Sequence, residues 1–151
     1  MATLRAVSVY LRTKDFIIQP ESQTTTGLWI VCEPVDVVPH DVETEILGKA
    51  VRNALAACRL GVAHPTDWKA MLQPLLACAR IRSWNAFQKS AMMCLIEETE
   101  TELRIIPNKN GGTKGPDKGF DLLLGKSIII GPSCSAEELG SALKRAFDYC
   151  C

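Results

Sequence analysis

The stretch Met92-Met93-Cys94-Leu95-Ile96-Glu97-Glu98-Thr99-Glu100-Thr101-Glu102-Leu103-Arg104-Ile105-Ile106-Pro107 decides the fold class. Met92 to Glu97 and Glu102 to Pro107 are strand-length apolar runs joined around Thr99-Glu100-Thr101, which predicts an antiparallel hairpin. Toward the N-terminus the residues read as helices first and strands again beyond them. Strands on both sides of a helical middle, without regular strand-helix alternation, predict an α+β fold: a mostly antiparallel sheet packed with several helices. No internal repeat or linker interrupts residues 1–151, so the chain reads as a single domain.

The N-terminal third alternates with period two. Val7, Val9 and Leu11 share one face and Ala6, Ser8 and Tyr10 the other; a Thr13-Lys14-Asp15 turn then leads to Phe16-Ile17-Ile18. Glu21 to Gly27 is polar and reads as a loop, and Leu28 to Cys32 as a third strand stopped by Pro34. Val35 to His40 reads as a connection. Leu47, Ala50, Val51, Ala54, Leu55 and Cys58 then form one helical stripe, with Asp41 or Thr44 as its cap and Gly61 at its end.

Thr66 is the expected N-cap of a short helix from Asp67 to Leu72. Pro74 should break it, since a proline inside a helix removes a hydrogen bond and crowds the carbonyl four residues back. A turn-rich segment to Arg80 and a helix Trp84 to Ser90 capped by Ser83 follow. Asn108 to Gly119 has the composition of a mobile loop. Phe120 to Leu124 and Ser127 to Ile130 read as two strands or one bent one. Ser135-Ala136-Glu137-Glu138 is a capping box opening a last helix with Leu139, Ala142, Leu143, Ala146, Phe147 and Cys150 on one stripe.

Composition narrows the function classes. The 151 residues are 47% hydrophobic and 23% charged, which excludes a disordered or fibrous chain. Seventeen basic and seventeen acidic residues give zero net charge, arguing against a generally basic nucleic-acid binder while leaving room for a local patch. No apolar run is long enough to cross a bilayer, and the N-terminus reads as a strand rather than a signal peptide, so no membrane partner and a cytoplasmic location are expected. The seven cysteines are odd in number and include no CxxC pair. They read as buried or incidental thiols of a reducing compartment, Cys58, Cys78 and Cys94 standing in for small hydrophobes. Adjacent Cys150 and Cys151 are the thiols most open to oxidation.

No motif commits the chain to catalysis. Gly125-Lys126-Ser127 resembles the end of a phosphate-binding loop, but Phe120 stands where its first glycine belongs and a strand follows where a helix is needed. The glycine-lysine loop from Asn108 reads first as a solvated connection, with anion binding as the sharper alternative. His40 and His64 lack ligands at metal-binding spacing, and no Cys/His pairing stands out. No catalytic residue, metal or cofactor is therefore assigned.

Two features point instead to a protein partner. In His64-Pro65-Thr66-Asp67-Trp68 the conservative reading makes Asp67 favourable to a helix start and Trp68 an anchor for the core; the sharper one has Asp67 and Trp68 meet a partner. Glu97, Glu98, Glu100 and Glu102 place four carboxylates around one hairpin turn. A wet turn is poor ground for acid-base catalysis, so it reads as solvated or as an acidic patch that docks on a basic protein.

Gly27-Leu28-Trp29-Ile30, Ala63-His64-Pro65-Thr66-Asp67-Trp68, Pro74-Leu75-Leu76, Ser83-Trp84-Asn85-Ala86-Phe87, Ile105-Ile106-Pro107-Asn108-Lys109-Asn110 and Leu139-Gly140-Ser141-Ala142-Leu143 occur in an order that resembles a family of bacterial contact-dependent growth inhibition immunity proteins. The resemblance covers nearly the whole chain and brings no catalytic motif. It implies a cytoplasmic antitoxin that binds the C-terminal toxin domain of an exported inhibitor and blocks its active site; related immunity proteins commonly face nucleases, including ribonucleases. The partner-facing residues expected on this reading are Glu97, Glu98, Glu100, Glu102, Asp67 and Trp68, with Glu33, Asp36, Asp41, Glu43 and Glu45 as further sources of charge. The rival classes are a small cytoplasmic enzyme and an obligate-oligomer structural protein.

The zero net charge is a cancellation of blocks. Residues 51–96 hold six basic residues and one acidic, whereas residues 97–107 hold one basic and four acidic.

Overall fold

β1 (Arg5–Arg12) and β2 (Asp15–Thr24) form the N-terminal hairpin of a computed structural model that describes residues 2–151. Arg12 pairs with Asp15 across a two-residue turn, in which Thr13 takes the left-handed φ of 58°. β6 (Ala91–Glu98) lies antiparallel on the other side of β1, and β7 (Leu103–Asn110) completes the second hairpin. Thr99 is buried in that turn, where its hydroxyl accepts from the backbone N–H of Glu102. Around these four strands run short ones: β3 (Trp29–Val31), β4 (Asp36–Pro39) and β5 (Leu60–Val62) on β2, and β8 (Phe120–Leu122) and β9 (Ile128–Ile130) on β7. All pairs are antiparallel except β2 with β5, which confirms the α+β class and the mostly antiparallel sheet.

The period-two alternation of β1 sends its side chains to two differently covered faces. Val7 and Val9 join Phe16, Ile18, Cys94, Ile96, Leu103 and Ile105 on the first, under α1 (Thr44–Ala57) and α4 (Ala136–Phe147). Each large side chain fully buried there contributes roughly 1.5–3 kcal/mol. The two helices meet backbone to backbone: a Cβ added at Gly48 would stand 1.8 Å from the Ala136 carbonyl oxygen, and one at Gly140 would stand 1.8 Å from that of Thr44.

On the second face α2 (Trp68–Ala79) and α3 (Trp84–Ser90) cover one end. Leu75, Leu76, Ala79 and Phe87 pack on Tyr10, Ile17 and Ala91, and the Tyr10 ring lies 4.9 Å edge-on from Phe87. The Arg12 guanidinium ties both helices to that end of the sheet by donating to the Ala79 carbonyl and the Ser90 hydroxyl.

Several sequence expectations are corrected. Glu21 to Thr24 belongs to β2 rather than to a loop, because Glu21 and Gln23 pair with β3 while Ser22 and Thr24 are buried. Asp36–Pro39 is strand β4 rather than a plain connection. Neither Asp41 nor Thr44 caps α1: Glu43 occupies that position without a side-chain bond, and the Lys144 ammonium donates to the neighbouring Val42 carbonyl. Nor does Gly61 end α1, since the helix stops at Ala57 and Gly61, with φ 74°, lies in β5.

Asp67, not Thr66, caps α2, its carboxylate accepting from the N–H groups of Lys69 and Ala70. Pro74 does not break that helix. The carbonyl it deprives belongs to Ala70, an exposed residue, and burial of Leu75, Leu76 and Ala79 holds the next turns in line. Asn108 to Asn110 complete β7, which shortens the loop to 111–119, and its ends are tied by a 2.8 Å bond from Gly111 N–H to the Gly119 carbonyl. Cys78 is exposed, so it does not act as a core hydrophobe. β8 and β9 are two strands on one edge of β7, separated by a single 3-10 turn at Leu124–Lys126.

Candidate functional site

Away from α2 and α3, the second face of the sheet turns from apolar to polar, with Ser8, Gln19, Glu21 and Glu97 on it. Register fixes what meets there: Ala6 stands between Glu21 on β2 and Glu97 on β6, and Ser8 between Gln19 and Leu95. Glu97 in turn faces Arg104 on β7. Thr3, Ala6, Glu21, Trp29, Leu95 and Glu97 line a cleft of about 290 Å³ over this region.

The two carboxylates of the cleft differ in their support. Glu97 accepts a 2.6 Å hydrogen bond from the Thr3 hydroxyl and lies 3.7 Å from the Arg104 guanidinium. Glu21 receives one bond from the Ser8 hydroxyl, at 2.9 Å. Burial, reinforced by the nearby Glu97 charge, pushes the Glu21 carboxyl above its usual range against that bond. Gln19 is fully buried one step along the same face, and neither atom of its amide has a hydrogen-bond partner among the described residues. Unsatisfied buried polar atoms are uncommon in native proteins, and Gln19 is two residues from Glu21 on the same face of β2.

The four hairpin carboxylates are not equivalent. Glu97 faces the cleft, whereas Glu98 points to the opposite side of β6 and pairs with Arg5 at 3.5 Å. Both lie within β6 rather than at the tip. Glu100 is exposed at the turn and Glu102 is half-buried beside it. Asp67 spends its carboxylate on capping α2. Trp68 is 52% exposed, which overturns the reading of it as a core anchor. The structure thus gathers Glu97, Glu100 and Glu102 at one end of the sheet and leaves Asp67 and Trp68 apart, on α2.

Missed in the sequence were Glu21 and Trp29 as site residues. The available signal was that Ile17, Gln19 and Glu21 continue the alternation of β2 on one face, turning from apolar to polar where helix cover ends.

Among the described residues no group of three or more His, Cys, Asp or Glu side chains is arranged to hold a metal ion, and no helix is long and apolar enough to cross a membrane. His64 bonds the Thr26 hydroxyl and His40 the Lys14 carbonyl. Gly125 and Lys126 lie in the 3-10 turn, without the helix that a phosphate-binding loop requires. The thiols of Cys94 and Cys150 form a pair with sulfurs 3.7 Å apart. Cys94 donates to Cys150, which lowers the Cys150 pKa to about 7, while the same bond and burial push Cys94 up.

The chain is thus an α+β scaffold with one helix-covered sheet face and, on the other, an acidic cleft beside an aromatic helical cap. The sequence model of the CDI immunity protein family, CdiI, matches residues 63–150, more than half of the chain. The chain belongs to that family. A search of curated protein sequences finds no match. Among solved structures the fold is similar to a Neisseria meningitidis protein of unknown function, with a TM-score of 0.79, 22% identity, and coverage of 97% of this chain and 95% of that one. It is also similar to a chain of a CdiA-CT/CdiI toxin and immunity complex from Yersinia pseudotuberculosis, with a TM-score of 0.78, 15% identity, and coverage of 97% of each chain. The whole fold is thus shared, from the N-terminal hairpin to α4.

Proposed function

We propose that this immunity protein binds and neutralises the C-terminal toxin domain of its own contact-dependent growth inhibition system, in the cytoplasm of the cell that makes both. The family match over residues 63–150 carries this reading, and the toxin and immunity complex of the structural neighbour supports it. The protein acts by occupying a surface of the toxin rather than by catalysis. The toxin is a nuclease, with ribonuclease the first activity to assay: a nuclease presents basic groups to phosphate, and the acidic end of this sheet is complementary to them. Glu97, Glu100 and Glu102 supply charge on this reading, with Glu98 behind them. Asp67 and Trp68 form a separate contact, in which exposed Trp68 is the anchor and Asp67 fixes the helix turn that presents it.

The test is co-expression with the C-terminal domain of a candidate cognate toxin, sought as a large exported protein encoded beside this chain. Expected are growth arrest by that domain alone, rescue with the immunity protein, and a stable complex on size exclusion; cellular RNA degraded in the arrested cells and intact in the rescued ones would identify a ribonuclease. Arrest without rescue, and no complex, would refute the reading.

A further inference from the structure

Charges in the Glu21 cleft do not balance. Two carboxylates, Glu21 and Glu97, line it, and the Arg104 guanidinium lies 3.7 Å from Glu97 but forms no ion pair with Glu21. Glu21 is left with a hydroxyl donor alone and a like charge nearby, so its ionised form is disfavoured until another cation arrives. The walls are an indole, Trp29, and the aliphatic Leu95, with Ala6 as a small floor between the carboxylates. A flat cation on an apolar stem suits this shape: it presents a fork to carboxylates, stacks on an aromatic ring and keeps its methylenes against Leu95. The unpartnered amide of buried Gln19, on the same face as Glu21, is a further polar group left unused by the fold itself.

We propose that this cleft is the socket for one arginine side chain of the toxin domain, with the guanidinium held by Glu21 and Glu97 and its plane against Trp29. The socket rests on the toxin-binding reading for its partner, but not for its chemistry. Ionisation of Glu21 in the complex makes the contact charge-assisted in a site partly shielded from water, which is where an interface residue dominates affinity.

The experiment has two arms. In the first, wild-type protein and the Glu21→Gln and Trp29→Leu variants are titrated with the toxin domain, with the Glu100→Gln/Glu102→Gln double variant at the turn as the comparison outside the cleft. Expected losses of affinity are about 30-fold for Glu21→Gln, about 10-fold for Trp29→Leu and less than about 3-fold for the double variant. Circular dichroism and urea midpoints establish that the variants are folded. In the second arm argininamide is the probe, followed by NMR at the Trp29 indole N–H. It should shift that signal in wild type, with the response abolished in Glu21→Gln. Failure of wild type to bind the toxin domain overturns the toxin reading and with it the partner named here. Wild-type affinity in Glu21→Gln, or an indole signal that argininamide leaves unmoved, overturns the socket while the toxin reading stands.

Discussion

Glu21 carries a cost that the fold does not recover. Its carboxyl is raised above the usual range, chiefly by burial, so the folded state binds its proton more tightly than the unfolded state does. The sign follows: its contribution is most favourable below the ordinary glutamate pKa and is lost as pH rises through the higher folded value. Glu21→Gln should therefore raise the urea midpoint at pH 7.5, and that advantage should disappear by about pH 3, well below the ordinary glutamate pKa, where the wild-type group is neutral in both states. An unchanged or lowered midpoint at pH 7.5 would show that Glu21 is already well solvated or paired. Cys150 makes the opposite case. The Cys94 thiol, itself 0% exposed, donates to it, and with a pKa of about 7 it should alkylate with a midpoint near neutrality. Removing the donor with Cys94→Ala should move the midpoint of Cys150 labelling by iodoacetamide, read by site-resolved mass spectrometry, toward pH 9. A profile that does not move would mean that the sulfur pair is not coupled.

At the level of elements, the crossing of α1 and α4 depends on two glycines in reciprocal contact, each beneath the other helix's backbone. Alanine is the better helix former by about 1 kcal/mol, so substitution in an open helix would stabilise. Here the obstacle is backbone, so Gly48→Ala and Gly140→Ala should each destabilise by about 2–3 kcal/mol in urea unfolding. The double variant should lose less than the sum, because a single separation of the helices relieves both contacts. The same two helices were the most legible part of the sequence: their stripes, Leu47 to Leu55 and Leu139 to Phe147, each report one buried face with period 3.6. The caps at Ser83 and Ser135 were legible for a similar reason, since each depends on residues three apart. What was hidden depends on residues far apart in the chain. Pro74 reads as a break until the burial of Leu75, Leu76 and Ala79 beneath it is known. Glu21 reads as loop until β3 is seen beside it, and the cleft exists only where β1, β2, β3 and β6 converge. The four hairpin glutamates were found as a group, but which are paired, exposed or cleft-facing was set by Arg5, Arg104 and Thr3 on other elements.

For the whole molecule, the sheet separates charge along its strands. At the Arg5 end of β1 lie Glu21, Glu97 and the turn with Glu100 and Glu102, and Arg5 itself is engaged with Glu98. At the other end Arg12 binds Ala79 and Ser90, the neighbours of Arg80 and Lys89. The seven residue steps of β1 put the two ends ~24 Å apart, more than twice the ~8 Å Debye length at physiological salt, so a partner approaching one end is barely affected by the other. That separation predicts how the toxin domain is captured. On the proposed reading, exposed Glu100 and half-buried Glu102 at the turn act at range, whereas Glu21 acts after contact, which assigns them to different rate constants. Reversal with Glu100→Lys/Glu102→Lys should slow association about tenfold at ~50 mM salt and leave dissociation nearly unchanged, with the difference fading at ~500 mM. Glu21→Gln should leave association within about threefold and speed dissociation. Arg80→Glu/Lys89→Glu, at the far end, should alter neither rate. Stopped-flow association and dissociation measured across salt would separate the three. If reversal at the far end slowed capture as much as reversal at the turn, the long-range field of the whole protein, not the acidic end of its sheet, would be steering the toxin.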